Sequence, residues 1–165
     1  MIPIRKESEE VLYAENEVVV FGKADLEELK RLAMLTPRKR IRLCTHRNPN
    51  DSLHEMFIIH TKNTIVPPHK HIGKAESFSI LEGRVDVILF HDDGKIRETI
   101  RMGDPASGLL FYYRLADPIF HTLNIHSDFL VFHEVTSGPF QRNKTIFASW
   151  DKSVGSQKPQ AAGAS

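Results

Sequence analysis

Two histidines, a glutamate and a glycine share one short stretch of this chain at a spacing that suits metal binding. His69 and His71 are two residues apart, Glu76 follows five residues later, and Gly83 follows after seven more. In a strand both histidines point the same way, with Cα atoms roughly 6–7 Å apart, and both rings can reach one ion at about 2.1 Å. A turn at Gly73 would return Glu76 on the next strand. The stretch therefore predicts a metal site within one hairpin.

A further histidine follows downstream in a context typical of the start of a strand. His121 lies 50 residues after His71 and follows Pro118. A closed antiparallel barrel can bring such a distant strand beside the first pair, so His69, His71, Glu76 and His121 would form a metal site of three imidazoles and one carboxylate. An octahedral ion would keep two positions open, and these ligands suit iron, manganese, nickel, copper or zinc. The alternative for His121 is a buried histidine bonded to a carbonyl.

The composition is that of an ordinary globular chain. Its 165 residues suit one domain with its own core, with 41% hydrophobic and 26% charged residues. A net charge of +1 provides no broad basic surface for nucleic acid, and no apolar run approaches the length that spans a membrane. Cys44 is the only cysteine, which excludes an internal disulfide and favours a reducing compartment. We therefore expect a cytoplasmic protein without nucleic-acid or membrane partners.

Apolar periodicity predicts one helix followed by many strands. Asp25 and Glu28 have the spacing of a capping box, leucines recur at helical intervals over 25–35, and Pro37 ends the helix. After it, short strands separated by turn residues indicate an antiparallel sandwich or barrel. The last residues are rich in Ser, Gly, Gln, Pro and Ala. These features divide the chain into an extension at 1–36, a barrel at 37–150 and a disordered tail at 151–165.

Polar side chains on the predicted strands are candidates for contacts with a ligand. Arg40, Arg42, Cys44 and His46 share one face of a strand whose other face is apolar. That pattern is typical of a basic stripe facing solvent. A barrel that binds a polar ligand can instead line its interior with arginine, whose planar group suits carboxylates and phosphates. Both interpretations are open at this stage.

Other histidines and aromatic residues have less specific patterns. His54 and His46 are candidates for acid–base catalysis beside the metal, or for histidines bonded within the core. Tyr112, Tyr113 and Arg114 are candidates at the edge of a ligand pocket. Three histidines at strand ends or turns are expected to be exposed, namely His60, His91 and His126.

The metal-binding residues resemble the two sequence motifs of the cupin superfamily. The first motif runs from His69 to Gly83 and matches the family pattern without departure. The second comprises Gly103, Pro118, His121 and Asn124, lacks the usual glycine between proline and histidine, and has Asn124 one place early. Cupins are small barrels of two sheets.

The order of further segments resembles the WbuC family of cupin-fold metalloproteins, over about Tyr13 to Trp150. The segments that carry this resemblance are Pro37–His46, His54–Met56, Pro68–His71, Lys74–Phe78, Gly138–Phe140 and Ala148–Trp150. It implies an all-β cupin jelly-roll barrel (a double-stranded β-helix) with one N-terminal helix. It also implies a divalent transition metal and an association with bacterial lipopolysaccharide (O-antigen) synthesis.

Three hypotheses for function follow. The first is an enzyme that acts on a sugar or nucleotide-sugar, isomerase- or epimerase-like, with the ion as Lewis acid, His54 or His46 moving the proton and Arg42 holding the anionic part. Iron would instead allow a dioxygenase. The second is a non-catalytic module that binds a small acidic metabolite. The third, a structural metal site, is disfavoured by the open coordination. We also expect a homodimer formed through edge strands or the N-terminal extension.

Overall fold

A computed structural model describes residues 2–151 of the chain. These residues form one α-helix, α1 (Lys23–Leu35), twelve β-strands and two short 3-10 helices at Pro105–Ser107 and Arg142–Lys144. The strands are β1 (Ile4–Lys6), β2 (Val11–Ala14), β3 (Arg40–Cys44), β4 (Leu53–Thr61), β5 (His69–His71), β6 (Glu76–Glu82), β7 (Arg84–Phe90), β8 (Ile96–Gly103), β9 (Tyr112–Leu115), β10 (Phe120–Ile125), β11 (Phe129–Ser137) and β12 (Thr145–Phe147).

The strands form two sheets, which confirms the prediction of an all-β fold with one helix. One sheet has seven strands in the order β1-β2-β3-β4-β11-β6-β9, and the other has five in the order β12-β5-β10-β7-β8. Neighbouring strands are antiparallel except β2 and β3, which run parallel. Strands distant in sequence lie side by side, because β11 separates β4 from β6 and β10 separates β5 from β7. This interleaving brings the predicted ligands together.

Both faces of the seven-stranded sheet are buried, each against a different layer. The face toward the five-stranded sheet carries the main core, which includes Cys44, Met56, Phe78 and Phe132. The opposite face packs against α1 through a second cluster of buried residues. The members of this cluster are Leu12, Leu29, Ala33, Ile41, Leu43, Ile59 and Val131. The helix therefore covers the back of the sheet, and the space between the sheets is a separate interior.

The helix begins two residues earlier than the sequence predicts. Its N-cap is Gly22, and Asp25 occupies the third helical position rather than the cap. The Asp25 carboxylate accepts hydrogen bonds from the backbone N–H groups of Gly22 (3.0 Å) and Ile2 (3.1 Å). An acidic side chain here satisfies an otherwise unpaired donor and complements the helix dipole. The predicted C-terminal end before Pro37 is confirmed.

A tight turn at Gly83 joins β6 to β7 and so connects the two sheets. Gly83 has φ +96°, and a Cβ built there would lie 2.2 Å from the carbonyl oxygen of Phe129. Only glycine meets both constraints at this position. The glycine that closes the first motif therefore fixes the chain where it passes from one sheet to the other.

The predicted extension at 1–36 contributes β1, β2 and α1, and β2 pairs with β3. Apart from Asp151, the predicted tail at 151–165 lies outside the described residues. Within 2–151, none of the helical structure has the length and apolar character needed to cross a membrane.

Candidate metal centre

Three histidines from two neighbouring strands converge on one point between the sheets. Strands β5 and β10 are antiparallel, with His121 directly opposite His69. His71 points to the same side as His69 because alternate residues of a strand share a face. One ring nitrogen from each of the three histidines lies within 4.8 Å of the others. This spacing could hold a single metal ion.

The outer nitrogen of each ring is bonded away from the cluster. His69 Nδ1 donates to the carbonyl of Pro67 at 2.8 Å, and His121 Nδ1 donates to that of Ile119 at 3.0 Å. His71 Nδ1 lies 3.1 Å from the hydroxyl oxygen of Thr145 on β12. Such bonds fix the orientation of a ring, and for His69 and His121 they leave Nε2 as the unprotonated nitrogen. These contacts are typical of histidines that bind metals.

A carboxylate from the opposite sheet completes the group. Glu76 begins β6, in the seven-stranded sheet, and is buried. Its Oε1 lies 2.9 Å from His121 Nε2 and its Oε2 lies 3.2 Å from His71 Nε2. The structure therefore brings all four predicted ligands together, with imidazoles on one sheet and the carboxylate on the other. The prediction of a site within one hairpin was wrong, because β5 pairs with β10 and β12 whereas β6 pairs with β11 and β9.

The electrostatics of the four residues favour an ionised carboxylate among imidazoles. Burial alone would raise the pKa of Glu76, but hydrogen bonds from His121 and His71 outweigh it and lower that pKa. Burial would lower the pKa of His121, but the Glu76 carboxylate raises it. His69 lacks that partner, so burial and the nearby His121 lower its pKa to about 4. An anionic carboxylate and a neutral imidazole are the forms that bind a cation.

This donor set fits a divalent transition metal. Imidazole and carboxylate ligands suit first-row ions from manganese to zinc. The three ring nitrogens and Glu76 already face one another, and the outer nitrogens have partners of their own.

The arginine-bearing face of β3 points into the interior. Cys44 belongs to the core between the sheets, whereas Ile41 and Leu43 pack against the helix. Arg42 alternates with these two residues and therefore faces inward with Cys44. Its Nε is buried without a hydrogen-bond partner among the described residues. The apolar face of this strand is not the inside of the barrel, because α1 covers it.

Glu134 and Tyr113 also face this interior, and Lys74 lies in the connection that leads to Glu76. The sequence predicts no role for Glu134 or Lys74. Glu134 lies between Phe132 and Thr136 on the inward face of β11. Burial and the charge of Glu76 raise the pKa of Glu134 to about 7, against the opposing charges of Lys74 and Arg42. Burial lowers the pKa of Lys74. The alternation on β11 indicated that either His133 or Glu134 faces inward, and only the pairing with β4 and β6 decides between them.

Arg40 is not available to a ligand, contrary to the sequence prediction. Its Nε donates to Oε2 of Glu10 at 3.0 Å, and Arg38 binds the same carboxylate. Burial lowers the pKa of Arg40, and the hydrogen bond to Glu10 acts in the opposite direction. Arg40 therefore ties the N-terminal extension to β3.

Of the three predicted pocket residues on β9, two point away from the site and one points inward. Tyr112 is 54% exposed and Arg114 is also exposed, whereas Tyr113 between them is 6% exposed. The pairing of β9 with β6 places Tyr113 opposite Phe78 on the inward face. Tyr112 and Arg114 therefore share the outward face of β9. Tyr113 is the inward residue, and its hydroxyl is buried without a partner among the described residues.

The two histidines predicted as acid–base residues contact each other rather than the cluster. The rings of His46 and His54 are stacked with centroids 4.0 Å apart, and both are buried. His46 Nδ1 lies 3.1 Å from the carbonyl oxygen of Glu55. A Cβ at Gly138 would lie 2.7 Å from His54 Nε2, so the backbone packs tightly there. His54 lies at the start of β4, and its Nε2 is buried without a hydrogen-bond partner among the described residues.

His60 also differs from expectation. His60 was predicted to be exposed, but it is buried, with an exposed fraction of 7%. It is buried because β4 lies between β3 and β11 in the sheet. His91 and His126 are exposed, as predicted.

Comparisons with known proteins support the fold. A sequence family described as a domain of unknown function (DUF6016) matches residues 21–102, slightly under half of the chain. This region contains His69, His71 and Glu76 and ends before His121. No curated protein matches the sequence.

Solved structures share the architecture at low sequence identity. Protein SO0799 from Shewanella oneidensis aligns with a TM-score of 0.50 and 12% identity, over 62% of this chain and 66% of that one. The capsular polysaccharide assembling protein CapF from Staphylococcus aureus aligns with a TM-score of 0.54 and 17% identity, over 68% of this chain and 32% of that one. CapF bound to 3-isopropenyl-tropolone aligns with a TM-score of 0.51 and 16% identity, over 64% and 31%.

The aligned region is thus less than two thirds of SO0799 and about a third of CapF. At these identities the likeness establishes architecture alone. Two interleaved sheets, an architecture shared with these structures, make this a cupin fold.

Proposed function

We propose that this protein is a metal-dependent cupin that acts on a sugar or nucleotide-sugar in bacterial surface-polysaccharide synthesis, by isomerase- or epimerase-like chemistry. The observation that carries the proposal is the convergence of three imidazoles and the Glu76 carboxylate beside inward-facing charged side chains. The substrate class draws on the resemblance to the WbuC family. The fold shared with a protein described as assembling capsular polysaccharide is consistent with it.

The metal would be held by His69, His71, His121 and Glu76. When bound, a divalent ion supplies a Lewis acid that polarises a carbonyl or hydroxyl oxygen. The protein contributes the orientation of the rings through Pro67, Ile119 and Thr145. Arg42 would hold the anionic part of the ligand, since it faces inward and its Nε has no partner among the described residues.

A non-catalytic binding module is the second candidate, and one observation favours it. The predicted proton-transferring residues, His46 and His54, stack on each other and not on the cluster. A module that only binds a ligand needs the metal and the charged side chains but no group that moves a proton. We retain acid–base catalysis by His54 as a prediction of the enzymatic hypothesis. A dioxygenase would additionally require iron as the native metal.

The test of the metal centre is the metal content of purified protein and of two variants. Wild type is expected to hold one divalent ion per chain after dialysis. His121→Ala is expected to weaken metal binding by about tenfold or more, since loss of a ligand exceeds the usual cost of losing a ligand's hydrogen-bond partner. His91→Ala, at an exposed position, is the matched control. Metal content would be measured by elemental analysis, and affinity by competition with a chelator. Equal metal affinity in wild type and His121→Ala would reject this centre.

The catalytic and binding hypotheses differ in one measurable reaction. Isomerases and epimerases of this kind remove a carbon-bound proton, so metal-loaded protein should exchange that proton with solvent deuterium. Incubation with nucleotide-sugars in deuterated water, followed by proton NMR, detects the exchange. Binding in a thermal-shift screen without exchange would support the binding module. His54→Asn should abolish exchange and retain the metal if His54 acts as the acid–base residue.

Two further parts of the proposal concern the setting of the protein. The single cysteine, Cys44, is buried and suits a reducing cytoplasm. We also propose a homodimer, for which the free edge of β9 is the candidate surface.

A further inference from the structure

Three charged side chains on the inner surface lie beside the candidate metal centre and are not needed to bind the ion. Arg42 is on β3 and Glu134 is on β11, and strand β4 lies between these two strands. Lys74 lies in the connection between β5 and β6, two residues before Glu76. Arg42 and Glu134 both lie on the inward face of the seven-stranded sheet. We call these three residues the Arg42–Lys74–Glu134 cluster.

The three members keep part of their surface accessible although they belong to the interior. Glu134 lies on a strand with neighbours on both sides and is half-buried rather than buried. Arg42 and Lys74 are also half-buried. Since the back of this sheet faces α1, the accessible surface of Glu134 faces the space between the sheets. A ligand in that space would reach both the cluster and the metal centre.

Two buried donors near this space lack protein partners among residues 2–151. They are the Nε of Arg42 and the hydroxyl of Tyr113. The charge of Glu76 acts on Tyr113, which places its hydroxyl near the carboxylate of the metal centre. Buried donors without a partner cost free energy, and a bound ligand with acceptor oxygens would satisfy them. The unpaired donors indicate a ligand that carries oxygen acceptors.

The charge of the space indicates an anion. Arg42 and Lys74 offset the carboxylates of Glu134 and Glu76, so a bound divalent ion leaves a net positive charge. An anionic group satisfies this charge, and arginine binds carboxylate and phosphate through paired N–H donors. Glu134 would repel an anionic group and would instead contact a hydrogen-bond donor of the ligand. Its ionised carboxylate only accepts, so it would bind a hydroxyl hydrogen of the ligand.

Bulky core side chains limit the size of this ligand. Met56 and Phe78 flank Glu134 on the neighbouring strands, and Phe132 precedes it on the same inward face. Two depressions of the molecule lie elsewhere. One of about 520 Å³ is lined by Val20 and Phe57, and one of about 360 Å³ by Arg101 and His126. The interior therefore suits a small molecule better than one with an attached nucleotide.

We propose that the Arg42–Lys74–Glu134 cluster makes this interior a site for a small hydroxylated anion, with the carboxylate or phosphate on Arg42 and Lys74 and a hydroxyl on Glu134. The inference rests on the proposed function, which it narrows from sugars and nucleotide-sugars to sugar acids or sugar phosphates.

The test is calorimetric binding of five probes to zinc-loaded protein. The probes are glucuronate, glucose 1-phosphate, neutral glucose, acetate and UDP-glucose. Glucuronate or glucose 1-phosphate is expected to bind at least tenfold more tightly than glucose, acetate and UDP-glucose. Preference for glucuronate over glucose 1-phosphate would assign a carboxylate to the ligand, and the reverse would assign a phosphate. Equal affinity for glucose and both hydroxylated anions, or tighter binding of UDP-glucose, would overturn the proposal.

Variants separate the roles of the three side chains. Arg42→Met and Lys74→Met are each expected to weaken the preferred anion by about tenfold, the value of one charge-assisted contact. Glu134→Gln should weaken the hydroxylated anion and leave acetate binding unchanged or tighter, a split that a structural role alone would not produce. Arg97→Met and Glu17→Gln, at exposed positions, are the matched controls. Wild-type affinities in the three interior variants would also overturn the proposal.

Metal content distinguishes the failure of this inference from the failure of the proposed function. If wild type and the three variants hold zinc and no anion binds preferentially, the ligand class is wrong and the metal centre stands. If wild type holds no zinc, the proposed function itself fails. Circular dichroism of each variant would show that it is folded.

Discussion

In each histidine of the candidate centre, Nδ1 has a hydrogen-bond partner within the protein. Two of the acceptors, Pro67 and Ile119, lie two residues before the histidines they bind, so each contact is local. The third partner, Thr145, comes from β12 and depends on the pairing of that strand with β5. Local contacts form with the strand itself, whereas the third requires the last described strand to be in place. His71 is therefore the ring whose orientation depends most on the tertiary fold.

A buried histidine outside the centre should make stability depend on pH. Burial and the charge of Arg40 lower the pKa of His60 from 6.5 to about 3. Between these values the unfolded chain binds a proton that the folded chain does not, so stability falls as pH decreases from about 6.5 towards 3. The slope for one such group approaches about 1.4 kcal/mol per pH unit. The variant His60→Gln should lose this component.

The measurement is urea unfolding of metal-free protein between pH 7.5 and 4.5. The difference in unfolding free energy between wild type and His60→Gln should shift in favour of the variant as pH falls. The groups that face His60 from neighbouring elements are Arg40 on β3, Leu130 on β11 and the ring of Phe132. Glu10 pairs with Arg40 and should remain ionised over most of this range, since hydrogen bonds from Arg38 and Arg40 overcome the effect of burial and lower its pKa. His91→Gln is the control, and parallel pH curves for wild type and His60→Gln would contradict the prediction.

At the scale of single residues, the sequence predicts the metal ligands better than the ligand-contact residues. His69 and His71 follow from a local pattern, because strand alternation fixes which side chains point together. Glu76 follows from the spacing of the first motif, although its strand β6 lies in the other sheet. Which face of β3 carries Arg42 inward depends on α1, which covers the other face, and no local pattern reports that contact. Glu134 was likewise undecidable from β11 alone.

The helix and the centre belong to different cores, so their effects should separate. Leu29 on α1 is 1% exposed and packs against the back of the seven-stranded sheet. Leu29→Ala should cost about 2–5 kcal/mol, the usual cost of truncating a buried leucine. Metal affinity per folded molecule should stay at the wild-type value, because the centre lies on the other side of the sheet.

Urea unfolding and chelator competition would measure the two effects of Leu29→Ala independently. Met34→Ala, on the same helix but 49% exposed, is the control and should change stability by less than about 0.5 kcal/mol. A tenfold loss of metal affinity in folded Leu29→Ala would show that the two cores are coupled.

At the scale of elements, β4 and β10 have the bounds that the alternation predicts, Leu53–Thr61 and Phe120–Ile125. The strand predicted over 109–115 is shorter, because β9 begins at Tyr112. Its inward residue depends on the pairing with β6, and a shift of one residue reverses both faces. The order of strands in the sheets was not predictable from the sequence, since it depends on contacts between distant segments.

The whole molecule presents an apolar edge at the end of the seven-stranded sheet. Strand β9 is the terminal strand at one end of this sheet. Its first residue, Tyr112, is 54% exposed, and the preceding Leu110 and Phe111 are 62% and 50% exposed. Exposed edges with apolar side chains favour pairing with another chain. The proposed homodimer should therefore form through this edge.

Phe111→Glu should convert the dimer to a monomer while leaving metal content unchanged. Light scattering after size-exclusion chromatography gives the mass directly, over a range of protein concentrations. Ile65→Glu places the same charge at another apolar position, 59% exposed, and should remain dimeric. A dimeric Phe111→Glu, or a monomeric wild type, would exclude this edge as the interface.

The division of the ligands between the two sheets has a consequence for how the molecule exchanges its ion. The histidines belong to the five-stranded sheet and Glu76 belongs to the seven-stranded sheet. An ion bound to all four residues would therefore cross-link the two sheets. Separation of the two sheets then requires dissociation of the ion. Conversely, dissociation of the ion becomes easier when the sheets separate. Slow hydrogen–deuterium exchange in β5 and β6 should accompany slow escape of the ion, with both accelerating together.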